Sequence, residues 1–183
     1  MIMFIPIRHT IIGKVNTKKS ISLNTERMKE NKEITNPTRS CITYELESKK
    51  YATEVTSICE IIRMKPLTRS ENMPAFMSGT LNLRGNMIPV VNTRAKLGMP
   101  EKEIDHETSI IIFQIEKENQ KIKLGAMIDR VDAILDLSIN KIMINLIDQS
   151  ETLHHNEQII TLLNPGQLLS PMEADELVAC AKN

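Results

Sequence analysis

Apolar and polar positions in this chain alternate in short runs rather than at helical spacing. Ile42, Tyr44 and Leu46 interleave with Thr43, Glu45 and Glu47, the period of a half-buried strand. Ser48-Lys49-Lys50 supplies a polar turn, and residues 51–55 return as the partner of a hairpin. Residues 56–64 carry Ile58, Ile61 and Ile62 around Glu60, the pattern of a short helix running into a strand, and Pro66 ends it. Ser109-Ile-Ile-Ile-Phe is uninterrupted enough to predict a strand buried on both faces. After a charged turn at 116–120, residues 121–128 alternate Ile122, Leu124, Ala126 and Ile128 with Lys121, Lys123, Gly125 and Met127. That pair is the clearest hairpin in the chain. Residues 133–137 predict a further strand, 139–146 are ambiguous, 149–157 read as a polar loop and 159–163 as a short strand. Asn164-Pro165-Gly166 is a turn. Ser170-Pro171-Met172-Glu173 has capping-box spacing with Pro at the first helical position, which predicts a terminal helix over 171–181.

The stretch 73–97 organises the rest. Leu81-Asn82-Leu83 alternates like a strand, and Met87-Ile88-Pro89-Val90-Val91 predicts a second, more buried one. Between them stands Arg84, followed by Gly85, the residue best able to take a positive backbone angle. A guanidinium on so short a connection needs a partner or open water. Two roles stay open for it: an internal salt bridge tying two strands together, or an outward contact with another protein. Loops are expected on either side, at 68–72 and at 98–107.

Many short strands, frequent turns and one late helix argue for a mainly β fold with a helical appendage, its strands closed into short open barrels. The first twelve residues are apolar but broken by Pro6, Arg8 and His9, and 14–40 are polar with little periodicity. Residues 1–40 are therefore expected to be a disordered or misassigned arm, with Met28 a second candidate start, and 41–183 the folded domain. At 183 residues there is room for one domain or two small lobes sharing a core. Lysine plus arginine balances aspartate plus glutamate at 23 each, so no net field draws the chain to nucleic acid or an anionic membrane. Tryptophan is absent, which leaves little for base stacking, and no apolar run is long enough to span a bilayer.

Candidate chemistry is sparse. Cys41, Cys59 and Cys180 are widely separated, without the paired spacing of a zinc knuckle or disulfide framework. His154-His155 beside Glu157 lacks a third ligand at recognisable spacing, and a solvated loop is the simpler expectation. Asp129 and Asp132 could form a carboxylate pair, but a helix-start or turn role is the plainer expectation. No nucleophile elbow or phosphate-binding glycine loop is present, so no enzyme, metal or cofactor is expected.

From Cys41 to Leu169 the residues resemble the CheW-type coupling proteins of bacterial chemotaxis. The block Pro74-Ala-Phe-Met-Ser-Gly-Thr-Leu-Asn-Leu-Arg-Gly-Asn-Met-Ile-Pro-Val-Val-Asn-Thr-Arg94 carries the family's Gly-x-x-Asn-Leu-Arg-Gly pattern. Leu124-Gly-Ala-Met-Ile-Asp-Arg-Val131 and Ile58-Cys-Glu-Ile61 supply a second and a third block. Asn92 stands where the family usually has Asp and Ala52 where it usually has Gly, and the region 142–159 is shorter than usual. The resemblance implies two small intertwined five-stranded β-barrel lobes with a short C-terminal helix. It implies a cytoplasmic, non-catalytic adaptor associated with receptor arrays, binding the regulatory domain of the histidine kinase CheA and methyl-accepting chemoreceptors, with neither nucleic-acid binding nor membrane insertion. Carried over by motif, Arg84, Gly85, Asn82, Glu60 and Ile58 are the expected protein-binding residues, while Gly79 and Gly125 serve backbone geometry. A diverged scaffold in another signalling array, or a small ligand-binding β-barrel, is the alternative.

Overall fold

A computed structural model describes residues 38–71, 73–117, 120–147, 149–170 and 172–173. Of the arm expected at 1–40, residues 1–37 lie outside the described residues, as does the helix expected beyond Glu173, whereas residues 38–40 are not disordered but open the first strand, because they pair with residues 136–138. Two antiparallel-rich sheets share the chain. One has five strands in the order β3-β6-β7-β5-β4: β3 Ile58–Arg63, β4 Met77–Leu83, β5 Asn86–Asn92, β6 Ser109–Lys117 and β7 Gln120–Ile128. The other has six in the order β8-β1-β2-β11-β10-β9: β1 Thr38–Leu46, β2 Lys49–Glu54, β8 Arg130–Ser138, β9 Ile142–Ile144, β10 Glu151–His155 and β11 Gln158–Leu162. The described residues thus open in the second sheet, build the first, and return to complete the second. The extra strand beyond five is the three-residue β9.

Side chains from all five strands of the first sheet meet in one cluster, with Leu81, Ile88, Val90, Ile110 and Ile112 buried and Ile62 and Met127 packed against them. A smaller cluster of Cys41, Ala52, Leu137, Leu153 and Ile160 fills the second lobe. The largest cluster joins the two sheets, bringing Ile42, Tyr44, Leu46 and Tyr51 onto Met77, Val91, Ile111, Phe113 and Leu124. β6 therefore alternates between two interiors: Ile110 and Ile112 enter the first lobe, Ile111 and Phe113 the shared core. This is why its apolar run is unbroken, as expected.

Three expectations change. β1 is buried on both faces rather than half-buried, because Cys41 and Thr43, at 0% and 4% exposure, face away from the shared core. The polar loop expected at 149–157 contains β10, paired with β11 from Glu151↔Leu162 to His155↔Gln158. Only Leu153 is buried there, so a strand with polar outward positions has the composition of a loop. A one-turn helix, α1 Thr93–Lys96, follows β5 where the sequence suggested continuous strand and loop. Asn92 caps it, its side-chain oxygen accepting from the Ala95 N–H at 3.1 Å, and this N-cap is a signal the sequence did carry. β11 runs parallel to β2, Ile160↔Lys50 to Leu162↔Ala52, so the shorter 142–159 region still joins the lobe. The capping box forms, with reciprocal bonds between the Ser170 N–H and Glu173 Oε2 at 2.7 Å and between the Glu173 N–H and Ser170 Oγ at 3.3 Å.

Candidate protein-docking site

The β4–β5 hairpin closes on two residues, with Leu83 opposite Asn86. Both loop residues have positive φ, Arg84 at 52° and Gly85 at 83°, which makes a type I′ turn. Its twist matches that of the flanking strands, but a left-handed conformation at Arg84 costs about 1 kcal/mol. Asn82 offsets this by accepting the Gly85 N–H at 3.0 Å, and the Asn86 amide donates to the Leu83 carbonyl at 3.5 Å. The sequence marked Gly85 as the special position. The positive φ of Arg84 itself came from the turn type, which the tight spacing of two strands decides.

From this tip Arg84 Nη2 donates to Glu60 Oε1 at 3.1 Å. Glu60 sits on β3, the opposite edge of the five-stranded sheet from β4, so the pair spans the two edges of a rolled sheet. The side chain of Arg84 is nevertheless 79% exposed, against 31% for Glu60. The internal tie and the outward guanidinium thus coexist, because one nitrogen engages Glu60 and the rest of the fork faces water. Asn82, Arg84, Gly85 and Glu60 form one cluster. Ile58 does not join its surface: half-buried and opposite Phe113, it packs against the shared core.

A second ionic centre lies where β7 passes into β8. Arg94, on α1, grips Asp129 with Nε at 2.9 Å and Nη2 at 2.5 Å, and Asp129 also accepts the Glu47 N–H at 2.9 Å from the β1–β2 turn. Arg94 Nη1 donates to the Pro100 carbonyl at 2.7 Å. Burial alone would push the Asp129 carboxyl up. The Arg94 fork, the Glu47 N–H and the nearby positive charge outweigh it and hold the carboxyl below its usual value. Asp129 thus stands in the bend between β7 and β8, which is the turn role the sequence allowed, and is neither half of a carboxylate pair nor a helix start. Asp132 lies apart from it in a surface network, bonded to Lys50 at 2.7 Å and Arg130 at 3.3 Å. No local spacing announces an arginine 35 residues away.

A further surface feature was not legible as such. Ile144 and Leu146, in the stretch the sequence left ambiguous, and Ile147 next to them are 61%, 93% and 95% exposed. The neighbouring histidines point to opposite sides of β10, as adjacent strand residues must.

The sequence model of the CheW-like domain matches residues 40–173, which takes in both sheets and the capping box. The chain belongs to the CheW-like domain family. It is similar to the chemotaxis protein CheW of Bacillus subtilis, 31% identical over 101 residues, covering 55% of this chain and 62% of that protein. The chemotaxis protein CheW of Rhizobium meliloti is 30% identical over 107 residues, 58% of this chain and 66% of that one. The aligned part thus spans just under two thirds of these CheW relatives. The solved scaffolding protein TtCheW from Thermoanaerobacter tengcongensis shares the fold, with a TM-score of 0.63 at 22% identity, covering 72% of this chain and 92% of that one. Placed on the CheW-like domain, the Arg84 turn, Glu60, the Arg94–Asp129 link and the exposed apolar residues all fall inside the matched segment.

Proposed function

We propose that this protein is a non-catalytic adaptor of bacterial chemotaxis that couples methyl-accepting chemoreceptors to the regulatory domain of the histidine kinase CheA. The observation that carries this reading is the Arg84 tip, an exposed guanidinium held in a strained turn inside a segment that matches the CheW-like domain. Adaptor interfaces rest on area and a few anchors, and a fork fixed at one nitrogen and free elsewhere suits a partner carboxylate or carbonyl. Arg84, Gly85, Asn82 and Glu60 form the proposed contact, with Ile58 supporting β3 from beneath. The strongly exposed Leu146 and Ile147 supply a second, apolar contact on the other lobe, which suits a protein that must hold two partners at once. The unit that works is the CheW-like body, which β1 opens at Thr38, with 1–37 an appendage. It acts in the cytoplasm at the receptor array, without entering the membrane. Among the described residues no helix is long and apolar enough to cross one.

Co-purification of the full chain with CheA and receptor cytoplasmic fragments tests the reading. Arg84→Ala is expected to lose at least one partner while melting like the parent protein. Unchanged capture of both partners by the folded variant removes Arg84 from the interface, and failure of the parent to capture either partner removes the adaptor role.

A further inference from the structure

Between the irregular segment 64–69 and the loop 101–105 lies an open cleft of about 790 Å³. It is lined by neither the Arg84–Glu60 pair nor the apolar residues 144–147. Its volume falls among those of small-molecule sites. Both walls are fixed by specific bonds. Thr68 and Thr80 exchange backbone hydrogen bonds of 2.9 and 2.8 Å, which lays the first wall against β4. Gly79 permits that approach, since a Cβ there would lie 2.8 Å from both Leu67 Cβ and the Thr68 carbonyl oxygen. In the second wall Asp105 accepts from the N–H groups of Glu107 and Thr108 at 2.9 and 3.0 Å, and Lys102 pairs with it at 2.8 Å. A cleft held in this way needs little ordering when a ligand arrives.

The lining divides into two chemistries. Met64, Leu67, Met77 and Met127 give an apolar, thioether-rich floor that adapts its shape to what it meets, and Ile104, 58% exposed, forms an apolar lip. On the first wall Lys65 and Arg69 are exposed and have no ion-pair or hydrogen-bond partner among the described residues, whereas Lys102 opposite is already taken by Asp105. We propose that this cleft binds a small amphipathic anion, its acyl or aromatic body on the methionine floor and its carboxylate or sulfonate at Lys65 and Arg69. The anionic group stays at the wet rim, so no charge is buried unpaired, and the planar guanidinium of Arg69 can hold a carboxylate by two parallel bonds. Glu101 belongs to the wall opposite Lys65 and Arg69, and its charge favours a ligand whose anion lies at the Lys65 and Arg69 end.

Isothermal titration of the full chain with decanoate, and with its neutral amide, tests this. Decanoate is expected to bind at one site and the amide at least about tenfold more weakly. Lys65→Ala/Arg69→Ala, which removes two exposed side chains, and Ala75→Trp, which fills the exposed mouth, are each expected to weaken decanoate binding by about tenfold or more. Leu146→Ser/Ile147→Ser should leave it unchanged, with circular dichroism melts confirming that every variant folds. The proposal is overturned if decanoate does not bind, if the Lys65/Arg69 variant binds it as well as the parent, or if the Leu146/Ile147 variant is the one that loses it. A leucine peptide flanked by glutamates that binds more tightly than decanoate, with the same loss in the Lys65/Arg69 variant, would assign the cleft to a protein segment and also overturn it.

Discussion

Arg84 and Glu60 make one bond at a largely solvated tip, and a pair of this kind contributes under about 1 kcal/mol to stability. Arg84→Ala and Glu60→Ala should therefore leave the urea midpoint nearly unmoved, and a large drop would show the pair to be a structural clasp. Two glycines, Gly79 within β4 and Gly85 in the turn after it, separate strain from crowding. Gly85 has φ 83° with open space around it, so Gly85→Ala should cost about 1 kcal/mol by backbone strain alone. At Gly79 the φ is 149° and the added carbon would strike Leu67 and Thr68, so Gly79→Ala should cost about 3 kcal/mol in the same titration. Gly125 is crowded without a special φ: a Cβ would lie 3.0 Å from Val90 Cγ2 and 3.1 Å from Ile110 Cγ2. Among the cysteines, burial first and Glu54 second push the Cys41 thiol up to about 11, while Cys59 is exposed on β3. Alkylation followed by peptide mapping should label Cys59 in the native protein and Cys41 only after unfolding.

At the scale of elements, Asp129 ties α1, the β1–β2 turn and the start of β8 into one junction. Its carboxyl titrates lower in the folded chain than in the unfolded one, so its contribution is complete above about pH 5 and is lost as the pH falls through the folded value. Urea midpoints of the parent should therefore fall between about pH 5 and pH 3 more steeply than those of Asp129→Asn. At pH 7 that variant should be less stable by about 3 kcal/mol, because Arg94 keeps its charge in a partly buried place without a counter-ion. Equal slopes for the two proteins would show that other carboxylates govern acid unfolding. β6 and β10 mark the limits of legibility here. An unbroken apolar run identified β6, whereas β10 rests on Leu153 and on pairing with β9 and β11. Polar outward positions give no local sign that those partners exist.

For the whole molecule, the shared core matters more than either lobe. Ile42, Tyr44 and Leu46 of the six-stranded sheet pack with Ile111, Phe113 and Leu124 of the five-stranded one, so neither lobe keeps its interior if the other opens. Unfolding should proceed as one transition, and Phe113→Ala, which leaves a cavity costing about 3–5 kcal/mol, should shift that transition without splitting it. Two separated steps by circular dichroism would show independent lobes. Deleting residues 1–37 keeps β1 whole from Thr38, and that shortened chain should melt and capture partners as the full chain does.

Local order was written in the sequence wherever a short-range rule applied. The strand periods, the Leu83–Asn86 turn with its glycine, the long β6–β7 hairpin and the Ser170–Glu173 capping box each depend on residues within a few positions of one another. Motif spacing likewise singled out Arg84 as the residue to watch. Tertiary structure decided what depends on distant partners. It set Glu60 against Arg84 across a rolled sheet, and drew Arg94 onto Asp129. It buried β1 on both faces, between two cores, where its alternation predicts a half-buried strand, and it joined two loops into a cleft with a methionine floor. Contacts of that kind are fixed by how two sheets pack, and packing is a property of the whole chain that no window of its sequence contains.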